Sequence, residues 1–242
     1  MKSIIVFLAA AVAAPQITQA QGTMYMSSLG LTPTGSVSVA SDFWVAADFR
    51  TGTNASGYLL NSVQLELTNA SGNPSGFTAM IYNQDVHVAG GVLPGSSLGT
   101  LNGSLDPVAA DIYTYSLGSN LTLSPSTWYF VVLTAGTVVT NGAYQWSVTR
   151  SHAFTFSDGW QAGSIPWYRA DGIPWRGVEQ VPAAYAQFAI YATVVPEPST
   201  LALLALGGFL LVWHRRKAKA VDTTWKRAPS PSWTWRFPTT GG

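Results

Sequence analysis

Between residues 36 and 194, apolar and polar positions alternate with a period of two, in runs rich in Val, Tyr, Phe, Trp and Thr such as Val63-Gln64-Leu65-Glu66-Leu67. Seven runs stand out, at residues 36–50, 58–68, 76–83, 111–117, 127–134, 143–149 and 187–194. That period puts alternate side chains on opposite faces, so each run predicts a strand with one face toward a core. Clusters of Gly, Asn, Ser and Pro at 52–57, 69–75, 90–99, 118–126 and 141–142 predict the turns between them. Many short strands at this spacing, with no convincing soluble helix among them, predict an all-β domain: an antiparallel β-sandwich, jelly-roll-like. Residues 21–194 are long enough to bury a core of their own as one exported domain. No repeat of solenoid or propeller length interrupts them.

The pattern changes at both ends. Lys2, the apolar residues 4–14 and the small-residue site Thr18-Gln19-Ala20 predict a secretory signal peptide over residues 1–20. The general secretion machinery and a signal peptidase are therefore expected partners, with the mature chain starting near Gln21. At the other end, residues 200–213 are almost entirely apolar and lack the polar stripe of an amphipathic helix. They predict one C-terminal transmembrane helix, which at about 1.5 Å per residue covers roughly 21 Å of a hydrocarbon core about 30 Å thick. That is short for a lasting span, and Gly207 and Gly208 weaken the helix further.

The flanks of this run carry their own chemistry. Pro196 and Pro198 fix their φ angles and push Val195 and Glu197 toward extended conformations, giving a processing enzyme a non-helical peptide to grip. His214, Arg215, Arg216 and Lys217 hold the helix end on the cytoplasmic side, with the preceding domain outside. Residues 218–242, with three tryptophans among prolines and no apolar period, predict a disordered basic cytoplasmic tail.

Charge agrees with this division. Residues 21–193 contain no lysine and hold four arginines against nine acidic residues, a net −5. Beyond Trp213, seven basic residues face Asp222 alone, a net +6. A nucleic-acid-binding domain needs its cations on the folded surface, so no nucleic acid is expected as a partner. The chain has no cysteine, which excludes a disulfide framework, thiolate metal sites and a catalytic thiol.

The order Pro196-Glu197-Pro198, apolar Leu/Ala/Gly run, Arg-rich end resembles the PEP-CTERM sorting signal of Gram-negative bacteria, over residues 195–217. The resemblance implies recognition by an exosortase, a membrane-embedded cysteine transpeptidase that cuts near the triplet. It also implies an inner-membrane-anchored intermediate, release to the cell surface or extracellular matrix, and a host that makes exopolysaccharide. Signals of this type usually stop just after the arginines, whereas this chain continues to Gly242. Residues 34–193 resemble a second family, the choice-of-anchor R domain. The matching features include Asp48-Phe49, the stretch from Tyr58 to Val63, Ser75-Gly76-Phe77, the stretch from Pro94 to Leu101, the stretch from Trp128 to Leu133 and Gly159-Trp160. That family implies differing surface anchors and brings no catalytic residue with it.

Candidate chemistry is sparse. Gly95-Ser96-Ser97-Leu98-Gly99 satisfies G-x-S-x-G, yet a nucleophile elbow needs a strand before it and a helix after it, and small turn residues explain the match better. His87 and His152 lack metal-ligand spacing, and Asp42 with Asp48 or Asp106 with Asp111 lack the dense oxygen run of a calcium loop. No catalytic residue, metal site or cofactor is expected. Trp160, Trp167, Tyr168 and Trp175 fall among Gly and Pro residues, where exposed rings could stack on a matrix polysaccharide. The competing reading makes these rings part of the core, because large aromatics are mostly buried. The expectation is an exported, non-enzymatic envelope or matrix protein, with a carbohydrate-binding module as first alternative and a secreted hydrolase as second.

Overall fold

The computed structural model describes residues 22–85, 92–163, 167–170, 175–177, 184–196 and 207–210. The chain divides into two compact units, Met1–Val195 and Pro196–Gly242. In the first, the described residues form sixteen strands. They are β1 (Thr23–Ser27), β2 (Gly35–Val39), β3 (Phe43–Arg50), β4 (Tyr58–Gly72), β5 (Thr78–Asp85), β6 (Leu93–Asn102), β7 (Asp111–Leu117) and β8 (Thr122–Leu123). They continue with β9 (Trp128–Thr134), β10 (Gly142–Thr149), β11 (Thr155–Phe156), β12 (Gln161–Ala162), β13 (Trp167–Ala170), β14 (Arg176–Gly177), β15 (Tyr185–Ala186) and β16 (Phe188–Val194).

Every pairing is antiparallel, and one hydrogen-bonded path runs β11-β1-β16-β4-β7-β6-β5-β9-β3-β13-β14. The sheet curls on itself because its inward side chains share one core: Met26, Phe49, Leu65, Ile81, Val131, Trp146 and Ile190 belong to a single cluster. The all-β antiparallel class is as expected, but the architecture is a nearly closed, barrel-like sheet rather than two separate layers. Its weak seam lies between β6 and β7, joined through Leu101↔Leu117 and Asn102↔Ser116.

Two expectations are corrected locally. The run at 36–50 is two strands, not one, because Ala40 and Phe43 exchange backbone hydrogen bonds around Ser41-Asp42. That turn sends β2 to β10 and β3 to β9. The Gly/Ser/Pro run at 90–99, read as loop, is largely strand β6, whose register against β5 shifts twice. Its glycines and serines fit a bulged, exposed strand.

β4 forks the sheet. Along one of its edges β16 pairs residues 58–65 and β10 pairs residues 67–72. Gln187 sits at the split, its N–H donating to Ser147 O at 2.9 Å on β10 and its carbonyl accepting from Glu66 N at 3.1 Å on β4. The buried side chain is fully used. Its Oε1 accepts from Ser147 Oγ at 2.6 Å and its Nε2 donates to Leu31 O at 2.7 Å and Ser28 O at 3.3 Å. A buried amide so partnered fixes the fork, since each lost partner leaves a buried polar group without a bond.

In the second unit only Pro196 and residues 207–210 are described, the latter as helix. No helix among the described residues is long and apolar enough to cross a membrane. The expected signal peptide, most of the expected transmembrane segment, the cluster His214 to Lys217 and the tail lie outside the described residues.

Candidate functional site

The triplet Pro196-Glu197-Pro198 begins where the sheet ends. β16 lies between β1 and β4, and its ladder runs to its last residues through Ala192↔Leu60, Thr193↔Leu59 and Val194↔Tyr58. Thr193 Oγ1 donates to Asn61 Oδ1 at 2.9 Å, and Val195 N–H donates to Gly57 O at 3.1 Å. Gly57 holds φ +78°, and a Cβ there would run into the carbonyl of Leu123, so only glycine presents its carbonyl this way. Pro196 is next; it is exposed and has no N–H to continue the ladder. Glu197 and Pro198 lie outside the described residues.

The aromatic candidates separate. Trp160 is 2% exposed and belongs to the core, stacked against Phe49 (5.8 Å, 5°) and Tyr25 (5.1 Å, 21°), with Tyr58 edge-on at 5.1 Å. It cannot present a face to a sugar, so the expectation of stacking is corrected at this position. Its indole N–H has no hydrogen-bond partner. Trp175 is half-buried and packs on the outer face of β3, β5 and β9, where Ala46, Met80, Phe130 and Val132 form a second cluster. The backbones of Trp167 and Tyr168 belong to β13, opposite Ala46 and Val45 of β3; their side chains lie outside the described set.

The structure also assembles an aromatic group that sequence reasoning missed. Phe154 and Phe156 stack at 5.6 Å and 28°, and Tyr185 sits edge-on to Phe154 at 4.8 Å and to His152 at 4.9 Å. The Tyr185 hydroxyl and His152 Nδ1 are hydrogen-bonded at 2.6 Å. Phe156 is 42% exposed, so the group reaches solvent. The signal was present in the period-two spacing of His152, Phe154 and Phe156, but Tyr185 comes from a distant segment.

The catalytic candidates find structural employment. Ser97 is exposed on β6 opposite Tyr82, with strand around it instead of an elbow, and the chain continues into β7. Asp42 accepts from Val139 N at 2.8 Å, Asp106 from Tyr144 Oη at 2.9 Å, and Asp111 from Ile112 N at 2.7 Å. These carboxylates hold turns and a buried phenol. No group of three or more His, Cys, Asp or Glu among the described residues could hold a metal ion. His87 lies outside them.

Asp48 is different, a buried carboxyl on the outward face of β3 beside Gly163, whose N–H donates to Asp48 O at 3.1 Å. Burial pushes its carboxyl up to about 6, partly offset by a bond from its own backbone N–H. A Cβ at Gly163 would collide with this carboxylate, so the glycine is what lets the chain cover it.

No curated protein matches the chain. The resemblance of residues 34–193 to the choice-of-anchor R domain rests on the sequence features alone. Residues 194–217 match the family model of the PEP-CTERM protein-sorting motif, which indicates an exported protein sorted by an exosortase through a membrane-anchored intermediate.

Proposed function

We propose that this chain does structural or adhesive, non-enzymatic work at the cell surface or in the exopolysaccharide matrix of a Gram-negative bacterium, with its β domain as the delivered cargo. The observation that carries this reading is the sorting motif beginning at the last residue of β16, so that a folded domain is followed at once by its address. Residues 1–20 serve as the leader removed by signal peptidase, residues 195–217 as the exosortase signal with its transmembrane helix, and residues 218–242 as a cytoplasmic tail discarded on processing. The charge division fits that route, with an acidic, lysine-free exported part and a basic end beyond Trp213. Replacing Pro196 and Pro198 together by alanine removes the extended brace. Immunoblots of fractionated cells should then show full-length protein held in the inner membrane and loss of the surface form; unchanged surface delivery would contradict the assignment.

A second reading, carbohydrate binding, is favoured by the solvent-facing group of Phe154, Phe156, Tyr185 and His152, whose rings offer a sugar both a flat face and polar edges. Trp175, and Trp167 and Tyr168 of β13, remain candidates beside β3. In affinity electrophoresis through host exopolysaccharide, Phe156→Ala should weaken retardation about tenfold if this group binds. Equal migration of both proteins with and without polysaccharide would remove the reading.

A further inference from the structure

A peptide bond is open to a processing enzyme only where the chain can leave the fold and lie extended in the enzyme's cleft. Strand β16 has no such freedom. It is an inner strand, with β1 pairing Ala189, Ile190, Tyr191 and Ala192 on one side and β4 pairing every residue from Phe188 to Val194 on the other. Phe188, Ile190 and Ala192 also fill the core. The last clamp is Val195 N–H on Gly57 O, and the chain becomes free of the ladder at Pro196, which is exposed. The chain also enters the sheet at this pole, since Thr23 of β1 faces Ala192.

Resting on the sorting reading above, we infer that the fold itself sets the N-terminal limit of processing. The bond cut has its carbonyl on Pro196 or a later residue, and the mature protein keeps β16 whole. In the step, the peptide C–N bond breaks. The nitrogen on the C-terminal side leaves as an amine with a proton from the enzyme, and the acyl group passes through the enzyme's nucleophile to water or a surface amine, which gives up a proton in turn. The barrier has a purpose in the structure. A cut within β16 would strip core residues and leave the edges of β1 and β4 open to other chains. With the limit at Val195, cutting removes the address and leaves the domain intact.

The test has two arms. Full-length protein in detergent micelles is treated briefly with a broad-specificity protease, and the fragments are weighed. Bonds from Phe188 to Val195 should be cut at least about a thousandfold more slowly than bonds C-terminal to Pro196, the lower end of the folded-to-unfolded ratio of a small domain. Comparable rates in the two stretches would overturn the inference. In the second arm, mature protein from an exosortase-bearing host should end at Pro196 or beyond; a C-terminus at Val195 or earlier would overturn it equally. A chain left uncut in the host, yet protected through Val195 in the first arm, would sink the sorting reading and leave the barrier standing.

Discussion

Asp48 is where burial and charge conflict most directly. Its carboxyl titrates at about 6 in the folded chain, above the ordinary value of 3.8, because burial disfavours the charged form. Between those two pH values Asp48 holds more of its proton in the folded state than in the unfolded one, so its contribution to stability falls as pH rises through the window and is lowest above about pH 6. The difference amounts to about 3 kcal/mol. Asp48→Asn should therefore melt higher than the parent at pH 7.5, with the advantage shrinking toward pH 4; parallel melting curves at both pH values would contradict this. Trp160 gives a second residue-scale prediction. Because its indole N–H has no partner, Trp160→Phe loses packing only. It should cost clearly less in urea titrations than Trp160→Ala, for which about 3–5 kcal/mol is expected.

At the scale of elements, the fork at β4 explains what the sequence could and could not tell. The period-two runs locate the long strands well: 58–68, 111–117, 127–134, 143–149 and 187–194 all fall on strands. In β3, β5 and β9 the alternation also hides a second burial, since Ala46, Met80, Phe130 and Val132 look outward yet are covered by Trp44, Tyr82, Val92 and Trp175. Strand β6 escaped detection because Gly95, Ser96, Ser97 and Gly99 have turn composition, and only pairing with β5 makes them extended. Gln187 escaped for a similar reason, as nothing local marks a glutamine as the hinge of three strands. Gln187→Leu keeps the volume but leaves the carbonyls of Ser28 and Leu31 and the hydroxyl of Ser147 without their bonds. A loss of about 3 kcal/mol or more is expected in urea unfolding, and a neutral result would show that the fork holds without its amide.

For the whole molecule, delivery was far more legible than activity. A sorting signal must be read by an enzyme as local sequence, so the motif at residues 194–217 is legible without a fold. A surface group is assembled from distant segments, as His152 and Tyr185 are, and becomes visible only in three dimensions. The structure also places Trp160 in the core, which shows how weakly a loop-like composition predicts exposure. The proposed function makes the C-terminal segment a detachable address on the β domain. It is tested most directly by the intact mass and cellular location of the protein in a host with and without its exosortase. A surface form that lacks the tail through Gly242 is expected in the first host and a full-length membrane form in the second; a chain intact to Gly242 in both would overturn the proposal.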